Sequence, residues 1–258
     1  GCIPSKALLH ITKVIEDAKA LEKSGVTFGD AQLDLDIIRS WKESVVNKLN
    51  KGISQLAKAR NVQVIQGAAS FVSPTQILVK NNRSSQSITF NNSIIATGSR
   101  PSSIPSVLKK HPRIINSTGA LQLPEIPKRL LVIGGGYIGL EMGSVYNTLG
   151  SQVTVVECMP SLLSGVDEDL VKPLAKKLSQ SFENIYLSTK VAKMIPTNSE
   201  VTLNFERLDG KGFTESYDMV LISVGRRPNT NDIGLENTGI TLTNKKFIKV
   251  NEKRQTKI

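Results

Sequence analysis

The stretch RLLVIGGGYIGLEMGSVYNTLGSQVTVVE, residues 129–157, constrains the fold more than any other part of the chain. An apolar run ending at Ile133 reads as a buried strand, and the glycines at 134–136 stop it. Apolar residues then recur at helical spacing, and Val153, Val155 and Val156 mark a second buried strand. Strand, glycine turn, helix and strand in that order is the crossover unit of a parallel sheet, so the fold class is α/β.

Gly134, Gly136 and Gly139 within this unit form G-x-G-x-x-G. Alone the spacing is weak, because glycine-rich turns are common. Here a buried strand precedes it, a helix follows, and Glu157 ends the next strand about twenty residues on, which is the dinucleotide-binding context. Gly134 permits the tight turn, Gly136 lets a pyrophosphate approach the backbone, and Gly139 brings helix and strand together, with the helix N-terminus facing the phosphate charge. Gly143, one turn later, extends that close packing. The alternative is a glycine-lined turn without a ligand. Glu157 can accept hydrogen bonds from both adenosine ribose hydroxyls and would repel a 2′-phosphate, and the following CMPSLLS holds no arginine to reverse this. NAD is therefore favoured over NADP, the bland alternative being that Glu157 is a solvated strand end.

Around this unit the pattern is mixed. Leu8, Ile11, Val14, Ile15, Ala18 and Leu21 predict an amphipathic helix from Pro4 to about Lys23, stopped at Ser24-Gly25. A second helix is predicted from Asp36 to Arg60, with Ile38, Trp41, Val45, Leu49, Ile53 and Leu56 on one stripe. The segments VQVIQG, QILVK and SITF read as a small antiparallel meander, followed by a buried-type strand at Ile94, Ile95 and Ala96 that runs into the turn TGSRP. Pro101, Pro105, Pro112, Pro124 and Pro127 predict an irregular connector and a boundary near residue 125. Beyond Glu157 come a helix at Asp167 to Phe182, short strands, a hairpin around LDGKGF, and the apolar strand DMVLISVG ending at Gly225.

The net charge of +11 raises the possibility of a nucleic-acid partner. Against it, the lysines are spread over helix faces, as in Lys48, Lys51 and Lys58 or Lys172, Lys176 and Lys177, with no aromatic residues interleaved to stack on bases. The expectation is no nucleic acid, and no membrane, since no apolar run approaches spanning length. Cys2 and Cys158, the only cysteines, give no disulfide framework and point to a reducing, cytoplasmic setting. With no initiator methionine and no signal peptide, the chain reads as an internal segment of a longer product.

The opening GCIPSKALLH places Cys2 at the start of a helix with Pro4 in its first turn and Lys6 four residues beyond the cysteine. The helix dipole and the ammonium both favour a thiolate there, although an isolated cysteine is more often inert packing. This opening, the ATGSRP turn, GGGYIGLEMGSVY, VTVVE and SVGRRPN together resemble, in order and over the whole chain, the flavin-dependent pyridine nucleotide disulfide oxidoreductase family. The resemblance is greatest to its lipoyl-type branch, the dihydrolipoyl dehydrogenases.

The resemblance implies two Rossmann-like dinucleotide-binding domains and the cofactors FAD and NAD. Residues 1–124 would be a partial FAD domain, 125–227 an NAD domain inserted in it, and 228–258 the beginning of a central domain. Cys2 matches the flavin-side cysteine of a C-x-x-x-x-C redox pair, and Lys6 and Glu141 match a lysine beside the flavin and its carboxylate partner, a contact across the two domains. Ala69, Thr97, Gly98 and Ser99 match FAD contacts. Gly134, Gly135, Gly136, Tyr137, Ile138, Gly139, Glu157, Val191 and Gly225 match the NAD site, Tyr137 being either a lid over the nicotinamide or a packed ring. His10 and His111 are expected to be structural, Cys158 packed and without a redox role, and no metal is implied.

The same resemblance places the partner cysteine, the first flavin-binding unit and a C-terminal dimerisation domain with a His-Glu base outside these residues, so the segment alone is expected to lack turnover. In the whole enzyme, a homodimer, electrons would pass from dihydrolipoyl groups on the acyltransferase of 2-oxo acid dehydrogenase complexes, or on the glycine cleavage system, through a disulfide and FAD to NAD. Glutathione- or mercuric-reductase-type enzymes, or a non-catalytic NAD-binding module, are the alternatives.

Overall fold

The computed structural model describes residues 1–104 and 111–258; Pro105 of the connector lies outside the described residues. Helix α1 (Cys2–Ala20) tightens into a 3-10 turn, Leu21–Ser24, which Gly25 closes at φ 84°. Helix α2 (Leu35–Ala59) follows, then strands β1 (Ala68–Ser73), β2 (Gln76–Lys80), β3 (Ser85–Thr89) and β4 (Ser99–Pro101). Next come β5 (Ile114–Asn116), α3 (Ser117–Gln122), β6 (Arg129–Ile133), α4 (Tyr137–Thr148), β7 (Gln152–Val156), α5 (Glu168–Ser181) and β8 (Asn184–Tyr186). The chain continues through β9 (Thr189–Pro196), β10 (Val201–Arg207), β11 (Gly212–Tyr217), β12 (Met219–Ile222) and β13 (Arg226–Pro228). It divides into two compact units, Gly1–Asn50 with Pro101–Gly225, and Lys51–Arg100 with Arg226–Ile258.

The first unit is built on a parallel five-stranded sheet in the order β5-β12-β6-β7-β8. The period of two in each strand divides its apolar side chains between two faces. Leu130 and Val132 join a cluster with Leu8 of α1, Leu140, Met142 and Val145 of α4 and Leu178 of α5. Leu131 and Ile133 join another with Val201, Leu203 and Phe205 of the antiparallel sheet β9-β10-β11. A parallel sheet covered on both faces explains why its strands read as unbroken apolar runs. A Cβ on Gly143 would stand 3.2 Å from the Phe182 ring and 3.4 Å from Val153, so glycine is what lets α4 lie close to β7.

The proline-rich connector is not irregular throughout. Pro112 and Pro124 bracket β5 and α3 without entering them, and Asn116 caps α3 by accepting from Thr118 N at 3.0 Å and Gly119 N at 3.1 Å. β5 then joins the parallel sheet beside β12, a pairing set by tertiary contact.

The second unit holds the antiparallel meander β1-β2-β3 and the pair β13-β4. Two predicted strands are absent. Residues 62–66 are not extended into a ladder, Val62 and Val64 are exposed, and β1 begins later, at Ala68. Ile94, expected in a buried strand, is 93% exposed, and no strand among the described residues pairs with 93–96. A β-rich sequence forms a strand only where a neighbour supplies hydrogen bonds. The tail, where the beginning of a central domain was expected, carries turns and an isolated bridge, Leu242 to Ile248. α2 has its amphipathic stripe, but Leu49, Ile53 and Leu56 on it are 48%, 62% and 63% exposed. No helix among the described residues is long and apolar enough to cross a membrane.

Candidate functional site

The carboxyl ends of β6, β7 and β12 converge on the glycine turn, the edge at which open α/β sheets bind ligands. Gly134 has φ +108°, and a Cβ there would stand 2.6 Å from the Ser223 carbonyl oxygen. Gly139 is closer still: its Cβ would meet Gly134 O at 2.3 Å and Ser223 Oγ at 2.5 Å. Gly136 differs in kind. It is the N-cap of α4, without a side-chain cap, and a Cβ on it would find nothing within 4 Å. The N–H groups that start α4 have no side-chain cap, and no side chain or backbone stands where a Gly136 Cβ would be; such a donor set, a cradle for an anion, fits the pyrophosphate of a dinucleotide.

Glu157 is fixed from both sides. Its Oε2 accepts from Gly135 N at 2.7 Å, and its Oε1 accepts from Met159 N at 2.8 Å and from the Cys158 thiol at 3.3 Å. The carboxylate is thereby held at the rim of the glycine turn, with three of its roughly four acceptor positions filled and one on Oε2 left for a hydroxyl donor. Cys158 is exposed, contrary to the expectation of a packed side chain: it follows the last residue of the buried strand β7 by two positions, and its thiol donates to the neighbouring Glu157. Partial desolvation, and then the hydrogen bond and charge of Glu157, push that thiol's pKa up, which disfavours its thiolate form.

Sequence reading missed Ser223, whose hydroxyl donates to Ile133 O at 3.0 Å and Gly134 O at 3.2 Å. It also missed Leu162, against which Gly135 packs, and Met159. The available signal was position: Ser223 lies in the apolar segment DMVLISVG, whose pairing with β6 sets it against the glycine turn.

Cys2 is exposed in the first turn of α1, and Lys6 lies one turn on. The Lys6 ammonium donates to Glu141 Oε1 of α4 at 2.5 Å. Both residues fall within the same compact unit. Farther along α1, Glu16 Oε1 accepts from Thr148 Oγ1 at 2.8 Å and its Oε2 from Lys177 Nζ at 3.0 Å. α1 is therefore tied to α4 at both ends, with Leu8 buried between.

Tyr137 opens α4 with 64% of its surface exposed, so it is not a packed ring, while Ile138 is half-buried. Val191 packs from β9 against the apolar cluster beneath the sheet, and Gly225 follows β12 at φ +106°. His10 stacks on Trp41 with ring centroids 6.3 Å apart, and His111 Nδ1 accepts from Arg113 N at 3.3 Å, so both histidines have local structural partners. In the second unit, Ala69 lies exposed in β1, and the turn Thr97–Ser99 leads into β4. No cluster of metal-ligating side chains occurs among the described residues.

A doubly covered parallel sheet with a glycine turn and a carboxylate fixed at its rim is a Rossmann-type nucleotide-binding architecture, and the same unit carries an exposed cysteine at a helix start. The chain belongs to the pyridine nucleotide-disulphide oxidoreductase family, which it matches over residues 1–258. The cofactors of that family are FAD and NAD. Among curated relatives, the chain is 44% identical over 258 residues to a dihydrolipoyl dehydrogenase of Vibrio parahaemolyticus, covering 100% of this chain and 54% of that protein. It is 40% identical to a dihydrolipoyl dehydrogenase of Geobacillus stearothermophilus, with coverage of 100% and 54%. Among solved structures, the HOCl-induced flavoprotein disulfide reductase RclA from Escherichia coli superimposes with a TM-score of 0.81 at 28% identity, over 100% of this chain and 54% of that one. The chain spans about half the length of these relatives.

Proposed function

We propose that this chain serves in an NAD-linked dihydrolipoyl dehydrogenase, which oxidises dihydrolipoyl groups carried by the acyltransferase of 2-oxo acid dehydrogenase complexes. The observation that carries the reading is the geometry of Glu157, a carboxylate pinned by Gly135 N and Met159 N beside an uncapped helix N-terminus. Residues 125–227 act as the NAD domain: Gly136 and the first N–H groups of α4 bind the pyrophosphate, Glu157 accepts from the ribose hydroxyls, and its charge rejects a 2′-phosphate. Gly134, Gly135, Ile138, Gly139, Val191 and Gly225 complete that site, and the exposed ring of Tyr137 covers its nicotinamide end.

FAD, when bound, supplies two-electron exchange between thiols and the nicotinamide. Toward it the chain contributes Cys2 as the flavin-side thiol, with Lys6 held at a fixed position by Glu141. Residues 1–124 belong to the flavin domain, in which Ala69, Thr97, Gly98 and Ser99 make FAD contacts, and 228–258 begin a central domain. The whole enzyme acts as a homodimer in the cytoplasm.

Turnover by the full-length protein decides the matter. Dihydrolipoamide with NAD⁺ is expected to yield NADH, and Glu157→Ala is expected to raise the Kd for NADH about tenfold or more while eroding the preference over NADPH. Reduction of glutathione disulfide by NADPH, with no turnover of dihydrolipoamide, would overturn the proposal.

A further inference from the structure

Thr97 and Gly98 are exposed and turn into the half-buried Ser99 at the start of β4, and a segment far away in sequence, Arg226–Asn229, holds all three. Asn229 holds the first two residues. Its side-chain Nδ2 donates to Thr97 O at 3.0 Å, and its backbone N–H donates to Gly98 O at 3.0 Å. The Asn229 amide is itself oriented, because Arg100 Nη1 donates to its Oδ1 at 3.0 Å. Arg226 grips the next residue, donating from Nε to Ser99 Oγ at 2.7 Å and from Nη2 to Ser99 O at 2.5 Å.

These bonds fix more than the carbonyls. No peptide here is cis, and in a trans peptide the N–H points opposite to the carbonyl of the same plane. With Thr97 O and Gly98 O both turned to Asn229, the N–H groups of Gly98 and Ser99 are turned the other way. At Gly98, φ +69°, a Cβ would meet nothing within 4 Å, so no neighbouring side chain or backbone crowds the chain at this residue. A pair of backbone donors suits an electron-rich heteroatom.

We propose that Asn229 is the positioning residue of this turn, aiming the Gly98 and Ser99 N–H groups at acceptor atoms of the flavin. The assignment rests on the reading, made above, that the turn contacts FAD. Asn229 itself need not touch the cofactor; it acts through the turn, and Arg100 acts through Asn229.

The test uses the full-length protein, stripped of flavin and titrated with FAD, with a thermal melt of each apoprotein alongside. Asn229→Asp keeps the acceptor for Arg100 but sets an oxygen against Thr97 O, and it is expected to weaken FAD binding on the order of tenfold and shift the absorption maxima of bound flavin. The apoprotein melt should stay close to that of the parent, which separates positioning from loss of fold. Arg100→Met, which frees the amide without touching the turn, should weaken FAD by a smaller factor, roughly two- to fivefold. Gly98→Val serves as the control for the turn itself.

If Gly98→Val weakens FAD while Asn229→Asp leaves affinity and spectrum unchanged, the role of Asn229 is overturned and the flavin-contact reading stands. If Gly98→Val also has no effect, that reading fails and the inference falls with it. Should Asn229→Asp not fold, Arg100→Met decides, and unchanged FAD affinity in that variant counts against the proposal.

Discussion

Two glycines of the same turn meet different constraints, and alanine at each should fail in a different way. At Gly139 a methyl group would stand 2.3 Å from Gly134 O and 2.5 Å from Ser223 Oγ, so Gly139→Ala must push helix from strand. Overpacking of this kind costs about 1–3 kcal/mol, and urea denaturation of Gly139→Ala should show a loss in that range. At Gly136 the same methyl meets open space, and the loss of stability should stay under about 1 kcal/mol, the scale of an N-cap change. That methyl occupies the cradle, so the Kd for NADH should rise by about tenfold, roughly one polar contact's worth. A G136A variant that melts like the parent and binds NADH equally well would remove the cradle from the site. The sequence distinguished these residues by spacing, but only the neighbours around each one show which is filled by protein and which faces a ligand.

At the scale of elements, the tie between α1, α4 and α5 runs through Glu16. Burial alone would raise its pKa, but the hydrogen bonds from Lys177 and Thr148 and the charge of Lys177 outweigh burial and hold the carboxyl below its usual value of 4.5. A carboxylate with a lowered folded-state pKa contributes stability that is complete above the ordinary value and lost as pH falls through the lower one. Glu16→Gln should therefore lower stability at neutral pH and flatten its decline below about pH 4.5. Chemical denaturation at a series of pH values checks this, and parallel curves for parent and variant would contradict it. The helices themselves were legible, α2 within a residue at each end, because the 3.6-residue apolar period survives any environment. Short strands were not: VQVIQG and SIIA are β-rich and exposed, whereas Ile114–Asn116 lies between prolines and joins a sheet. Helices make their hydrogen bonds internally; strands take theirs from a partner the local sequence does not name.

For the whole molecule, the uncovered stripe on α2 is the feature with consequences in solution. Leu49, Ile53 and Leu56 share it, and exposed contiguous apolar surface favours association. The 258-residue chain is expected to self-associate with rising concentration in sedimentation velocity, and Leu49→Lys with Ile53→Lys and Leu56→Lys to suppress this without altering NADH affinity. Concentration-independent sedimentation of the parent would contradict it. The basic charge is spread over helices and strands, several of its members engaged locally, as Lys172 of α5 is with Glu168 at 3.1 Å and Lys190 of β9 with Glu206 of β10 at 3.2 Å.

The sequence by itself determined the glycine turn, the parallel crossover unit, the acid at residue 157 and the cysteine at a helix start. Each of these is a local statement: a spacing of residues whose backbone freedom or charge the chemistry needs within one turn or one strand. Tertiary structure decided the rest. It brought Lys6 to Glu141 across 135 residues of chain and Asn229 to Thr97 across 132, placed Ser223 against Gly134, and left Cys158 exposed instead of packed. Those outcomes depend on which strands become neighbours in a sheet, and that choice is made by burying apolar faces over the whole unit.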